Sequence, residues 1–459
     1  MNTRRISYDI LFKIEKEDLY VNDLLDDALR TFQFSDKRDR AFITRIVEGV
    51  TERKISLDFL IDKFSKKGKS SNGLKPEIRM ILRMGIYQIR YMDSVPDRAA
   101  ISESVELAKE LGFDGLSGFV NGLLRSVARA KEERKLDSFL VSRMDTRYST
   151  PKWLCDFLVE AYGKDTARAI LEDQFKEHDT VVRVNTLKTD KDSLKKLFEE
   201  KGIEVKDGIL SDRCLRISGY DSVRRLPGYN DGLFVIQDET SVYTVEHIGI
   251  KPGDKVLDMC AAPGGKSMLA YELTSANGQG ENAAISGGTV VSRDISENKI
   301  EKIKENAERL GIFGDEEREV EERTGFMLEI GDATALDKSI SELKDDDKFD
   351  VVIADVPCSG LGIIGRKNDI KYHMSLEIMN ELSEQGLNIL KNASNYVKPK
   401  GHICFSTCTI NPIENGEVVR RFLEEDNNKD KYSIVEEKTF LQGIDGSDGF
   451  YFCIIQKER

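Results

Sequence analysis

The sequence predicts a multidomain chain: an all-α N-terminal domain over residues 1–135, a small α/β linking module over 145–240, and a C-terminal α/β domain over 241–459 built as a Rossmann-like, doubly wound sheet. Three observations predict it. At 459 residues the chain is about three times the ~150 residues that one domain usually holds. Through the first third, apolar residues recur at spacings of three and four with no sustained alternation of period two. From Gly253 onward, short apolar runs alternate with helical patterns, the arrangement that gives a mostly parallel sheet.

In the first part, Ile6, Ile10, Leu11 and Ile14, and later Phe42, Ile43, Ile46 and Val47, fall on single helical faces. Breaks are expected at Lys66–Gly73, Ser94–Pro96 and Gly112–Gly118, dividing Ile6–Arg134 into about six or seven short helices, the last over Val120–Arg129. Lys131–Ser138 (KEERKLDS) reads as a charged linker. Ser149 and Thr150 before Pro151 predict a capped helix with proline at its first position, running through about Ala161. The linking module has strands at Thr180–Leu187 and Gly232–Ile236 around a helix at Asp190–Lys201. The last domain has strands at 256–260, 289–294, 326–332, 350–355 and 402–408, with helices at 265–273, 296–310 and 375–397. Residues 274–288 and 314–325 interrupt this pattern and read as surface insertions, the first a glycine-rich loop or a lid.

Composition narrows the class. Hydrophobic residues at 39% and charged residues at 33% are those of a soluble folded protein. No run of about 18 apolar residues exists, and acids lie within the first twenty residues where an export signal would be apolar, so a cytoplasmic protein that spans no membrane is expected. The seven cysteines, an odd and sparse set, read as reduced thiols. Cys404 and Cys408 have no matching second pair and histidines number four, so no metal is expected. The net charge of −13 conceals a division: residues 1–150 hold 28 Lys and Arg against 24 Asp and Glu, the remainder 41 against 58. Only the first third is suited to a polyanion.

The chemistry concentrates at strand ends. In Asp258–Ser267 (DMCAAPGGKS) a buried strand gives way to small residues and to Gly264 and Gly265 just before a helix, which lets backbone amides approach a ligand; plain strand-to-helix packing is the other reading. The sequence GxxxxGK[ST] is absent around Lys266, so this is no phosphate-binding P-loop. Asp294 closes the next strand where an acid would hold ribose hydroxyls, at a spacing lengthened by the insertion. Asp332 closes a third strand and either serves the same ligand or caps a turn. Asp355 and Cys358 follow the fourth strand and Cys408 closes the fifth, so two thiols meet at the rim of one crevice. Read alone, Cys358 is a structural cysteine. As a pair with no histidine nearby in sequence, the thiols suggest covalent catalysis, with a reversible disulfide as the competing reading.

In combination, DxCAAPGGK at 258–266, DVPCSG at 355–360 and STC at 406–408 followed by NPxEN at 411–415 are specific. On these residues the chain resembles the RNA 5-methylcytosine methyltransferase family over nearly its full length. It resembles the bacterial ribosomal RNA members in particular, whose N-terminal domain is similar to the antitermination factor NusB: residues 81–112 and GFVNGLLR at 118–125 carry that likeness. VRVNTLK at 182–188, GLFVIQDETS at 232–241 and DGFYFCII at 448–455 also match.

The resemblance implies a NusB-like, RNA-binding helical domain and an S-adenosylmethionine-dependent methyltransferase domain. It implies transfer of a methyl group to carbon 5 of a cytosine in 16S ribosomal RNA, by a protein acting as a monomer. Cys408 is implied as the nucleophile, Cys358 as the residue of product release, and Asp355 as the acid between cofactor and cytosine. Cys260, Ala261, Ala262, Pro263, Gly264, Gly265 and Lys266, with Asp294, Asp332 and Asp355, are implied as the cofactor-binding set. Transfer RNA or another ribosomal site is the alternative substrate, and a non-catalytic RNA-binding or antitermination protein the alternative class. The chain departs from the family pattern at Val356, Gly365, Asn368 and Gly416. Gly365 and Asn368 replace an arginine and a proline, leaving Arg366, Lys367 and Lys371 as the expected phosphate contacts of that stretch.

Overall fold

The computed structural model describes residues 2–21, 24–25, 37–65, 71–275, 288–313, 325–336 and 344–458. Residues 66–70 of the expected break at Lys66–Gly73 and the bulk of both insertions, 276–287 and 314–324, lie outside them. None of the described helices is long and apolar enough to cross a membrane. The chain forms two compact units, Met1–Phe175 with Ile364–His373, and Lys176–Ile363 with Met374–Arg459.

The first unit is helical. Its central helix, Pro76–Tyr91, is buried along nearly its whole length, including Arg83 and Gln88. Arg83 is compensated by a two-pronged pair with Asp58 at 2.7 Å and by Glu15 at 2.9 Å, which satisfies a guanidinium that burial would otherwise penalise. Three expectations are corrected. The helix expected over Val120–Arg129 runs Asp114–Glu132, because Val120, Leu123, Leu124 and Val127 pack into the core and outweigh the helical cost of Gly115, Gly118 and Gly122. The charged linker is largely helical: Leu136 and Leu140, one turn apart, anchor the helix Leu136–Leu140 in the same core. Pro151 precedes its helix, Lys152–Tyr162, instead of opening it. The Ser149 hydroxyl accepts the backbone N–H groups of Ile55 and Ser56 and so caps a different helix, Lys54–Phe64.

The second unit holds two sheets. The smaller has the order β2-β3-β1-β4, formed by β1 (Thr180–Val184), β2 (Glu204–Asp207), β3 (Cys214–Ser218) and β4 (Phe234–Ile236), all antiparallel, with the helix Lys191–Glu200. The larger contains β5 (Lys255–Asp258), β6 (Thr289–Asp294), β7 (Phe326–Ile330), β8 (Phe349–Asp355), β9 (Val397–Thr407), β10 (Tyr432–Phe440) and β11 (Phe450–Lys457), in the order β10-β11-β9-β8-β5-β6-β7. β5 to β9 are parallel, and β10 and β11 add an antiparallel hairpin. Alternate strand residues serve opposite faces: Leu257, Val352 and Ile403 pack with the helices Leu376–Tyr396 and Gly416–Glu424, while Val256, Ile353 and Cys404 pack with Gly265–Thr274 and Glu297–Leu310. This is the doubly wound arrangement the alternating pattern predicts.

Arg183 joins the two sheets. Its side chain, 0% exposed, donates to Gln237 Oε1 at 2.8 Å and pairs with Glu272 on the helix Gly265–Thr274. Asn185 Nδ2 donates to the carbonyls of Gly232 at 2.8 Å and Leu310 at 3.0 Å. Arg183→Met, which leaves buried Glu272 with only the more distant Arg213 at 3.8 Å and its Thr186 donors, should cost about 3 kcal/mol in denaturant unfolding, whereas Arg183→Met combined with Glu272→Met should recover part of that loss.

Candidate active site

From the middle of the large sheet, β6 and β7 follow β5 in one direction and β8 and β9 in the other, so strand order reverses between β5 and β8. The carboxyl ends at such a reversal open a crevice. After β5 the chain turns through Cys260, Ala261, Ala262 and Pro263 to Gly264, whose φ of +101° lies in the left-handed region. That backbone conformation, which an L side chain rarely adopts, is what calls for glycine where the turn enters the helix Gly265–Thr274. The first amides of that helix have no partner within it and are free for an anionic or polar ligand.

Acids line the turn. Asp258, 1% exposed, accepts the Ser267 hydroxyl at 2.6 Å on Oδ2, and Ser267 Oγ lies 2.8 Å from Ser292 Oγ. Asp258 Oδ1 is buried without a hydrogen-bond partner. Burial pushes this carboxyl up to about 7 against the opposing pull of the Ser267 hydroxyl and the Lys266 charge. Asp294 accepts the Ala262 N–H at 2.9 Å and the Ile295 N–H at 2.7 Å, with Lys299 Nζ at 3.0 Å, so it is tied to the glycine turn. Asp332 is exposed and accepts both the N–H and the hydroxyl of Thr334, at 2.8 and 2.7 Å, which is the turn-capping arrangement. A buried acid oxygen at the head of the turn and a helix start with uncommitted amides suit a ligand with a cationic amine and polar groups, and these are the features that would accommodate S-adenosylmethionine.

The other wall carries the thiols. Asp355, at the end of β8, accepts Lys266 Nζ and Ser406 Oγ, each at 2.7 Å. Cys358 and Cys408 are half-buried and not in a disulfide, with their Sγ atoms 3.3 Å apart, unlike the buried Cys155, Cys214, Cys404 and Cys453. The hydrogen bond with Cys408, followed by burial, pushes the Cys358 thiol well above its ordinary value. The structure therefore brings together the turn Cys260–Lys266 with Asp294, and Asp355 with Cys358 and Cys408, and bridges these two groups through Lys266.

Several residues here escape a reading of the sequence. Ser406 is two residues from Cys408 and opposite Asp355 in the β8–β9 ladder, so strand period and pairing together would have found it. Ser359, Thr409 and Glu414 form a buried cluster behind the thiols that no local spacing announces. Lys371 requires a correction. It is 0% exposed inside the first unit, where Nζ donates to the Glu52 carbonyl at 3.0 Å and Gln174 Oε1 at 2.8 Å, and burial pushes its amine down to about 7. A phosphate cannot reach it; Arg366 and Lys367 are the exposed cations of that stretch.

Comparison with known proteins adds three family matches: the NusB family over residues 1–129, the ferredoxin-like domain of RsmF/B-like methyltransferases over 150–224, and the 16S rRNA methyltransferase RsmB/F family over 246–452. The probable ribosomal RNA small subunit methyltransferase B of Bacillus subtilis is 32% identical, covering 100% of this chain and 99% of its own. The ribosomal RNA small subunit methyltransferase B of Vibrio vulnificus is 27% identical and covers 100% of each chain. The crystal structure of PH0851 superposes with a TM-score of 0.76 at 20% identity, over 100% of this chain and 99% of that one, which is a likeness of fold.

Asp258 generates a pH signature. A carboxyl raised from 3.8 to about 7 in the folded state favours folding below about pH 4 and loses that contribution as pH rises through 7. Asp258→Asn keeps an acceptor for Ser267 without the charge. Its unfolding midpoint relative to the unmodified protein should therefore rise between pH 4.5 and 7.5, measured by urea titration at each pH.

Proposed function

The chain belongs to the 16S rRNA methyltransferase RsmB/F family, and from that premise we propose that it transfers a methyl group from S-adenosylmethionine to carbon 5 of a cytosine in 16S ribosomal RNA, through a covalent adduct of Cys408 with carbon 6. The observation that carries this reading is the pair of half-buried thiols, 3.3 Å apart, beside Asp355 at the crevice. Carbon 5 of cytosine is a poor nucleophile, and thiolate addition at carbon 6 converts the ring to an enamine that can attack.

Cys408 forms the sulfur–carbon 6 bond. Lys266, 2.7 Å from Asp355, passes a proton through the Asp355 carboxyl to ring nitrogen 3 as the thiolate adds, which helps the ring accept charge. When bound, S-adenosylmethionine supplies an electrophilic methyl group. Cys260–Lys266, Asp294, Asp332 and Asp355 hold it, a role supported by the glycine turn and the unpartnered Asp258 oxygen. Cys358, having released its own proton to solvent, then takes the carbon 5 proton as its thiolate, and the sulfur–carbon 6 bond breaks with its electron pair returning to Cys408. The resemblance assigns attack to Cys408 and release to Cys358, and the 3.3 Å separation of their sulfurs supports both thiols acting on one ring.

The division at 1–135, 145–240 and 241–459 belongs to this reading, with the basic first third holding RNA through phosphate contacts and the whole acting as a cytoplasmic monomer. The two thiols separate in one experiment. Enzyme incubated with substrate RNA and cofactor, then run on a denaturing gel, should show no covalent band and no methylation for Cys408→Ser, and a persistent band for Cys358→Ser. A band with Cys408→Ser and none with Cys358→Ser reverses the assignments, and no band with either removes the covalent mechanism.

A further inference from the structure

Behind the thiols lies a carboxylate to which the mechanism assigns no part. Glu414 is 2% exposed. Three donors converge on it. Oε2 accepts the Ser359 N–H at 2.7 Å, and Oε1 accepts the Ser359 hydroxyl at 2.5 Å and Asn411 Nδ2 at 2.7 Å. Ser359 follows Cys358, and Asn411 lies on the turn that follows Cys408. Because the carboxylate takes the one Ser359 hydroxyl hydrogen, the 2.8 Å contact between Ser359 Oγ and Thr409 Oγ1 must run from Thr409 to Ser359. Thr409 Oγ1 in turn accepts the Asn411 N–H at 3.2 Å, which closes the circuit. Asn415 completes the second loop, accepting from Thr407 Oγ1 at 2.6 Å and donating to the Thr409 carbonyl at 2.9 Å.

We propose that Glu414 is a positioning residue for the two-thiol centre: its carboxylate clasps the Cys358 loop and the Cys408 loop together and so sets the separation of the two sulfurs. A carboxylate is needed because both of its oxygens must accept; a glutamine has one acceptor end and would turn its NH2 towards a donor. A hydrophobic residue would leave three buried donors without partners. The Cys408 hydrogen bond, burial and then the Glu414 charge all push the Cys358 thiol up. The inference rests on the two-cysteine reading above, but its test does not depend on RNA.

The full-length protein is prepared as Glu414→Gln and as Ser359→Ala, with S-adenosylhomocysteine binding by calorimetry as the check on folding. Two rates are read: methylation, and formation of the Cys358–Cys408 disulfide on addition of diamide, followed by a mass loss of two hydrogens. In Glu414→Gln, kcat should fall about 100-fold with RNA KM and S-adenosylhomocysteine affinity within about threefold, and disulfide formation should slow about tenfold, as expected when reacting groups lose their fixed approach. Ser359→Ala should move both rates in the same direction and decides the matter alone if Glu414→Gln fails to bind S-adenosylhomocysteine. Unchanged disulfide formation overturns the proposal, whether or not kcat falls. If instead the unmodified protein forms no adduct with RNA, the two-cysteine mechanism fails while the disulfide rates still judge the clasp.

Discussion

In the parallel ladder of β8 and β9, Asp355 lies opposite Ser406, and a slip of one residue there would turn every side chain beyond it to the other face of the sheet. That register is the constraint on which the site depends. It sets Asp355 beside the Ser406 hydroxyl, and it starts the Cys358 and Cys408 loops from neighbouring strand ends, so that short excursions bring their sulfurs within 3.3 Å. The backbone holds the same relation beyond the strands: the Val356 N–H donates to the Ser406 carbonyl at 3.0 Å and the Gly362 N–H to the Cys408 carbonyl at 3.1 Å. Lys266 then connects this wall to the glycine turn, reaching Asp355 from the helix that the turn begins.

Groups whose chemistry is local were legible in the sequence. The turn Cys260–Lys266, the strand-closing Asp294 and Asp355, and the thiols of Cys358 and Cys408 all follow from a strand ending in small or reactive residues, and the parallel arrangement places such ends together. Asp332 was legible only as a choice, and its two hydrogen bonds to Thr334 display the turn-capping side of it. The strands β2 and β3 were not legible, because Glu204–Asp207 is polar and largely exposed and Cys214–Ser218 is only five residues long. The edge strand β10 has only the adjacent, exposed Ile434 and Val435 before Glu436, Glu437 and Lys438, and so gives no apolar run.

Buried charge was the least legible feature, since a sequence gives a lysine or glutamate no sign of its surroundings. Lys371 reads as a surface cation and is enclosed by the Glu52 carbonyl and Gln174. Arg183 lies within an apolar strand and proves to be half of a buried pair. Glu414 sits in a turn motif and gathers three donors. Each has at least one compensating partner distant in the chain, as a buried ionisable group must, although Arg183 Nη2 is left without one. Asp258 Oδ1, also without a hydrogen-bond partner, lies at the head of the turn where the cofactor is proposed to bind.

The central claim concerns one base in one RNA. Bisulfite sequencing of total RNA tests it most directly, in cells with the gene, without it, and restored with Cys408→Ser. The account predicts one cytosine of 16S ribosomal RNA that resists conversion only when the unmodified protein is present. An identical 16S pattern in all three, or a protected cytosine lost only from transfer RNA, would contradict it.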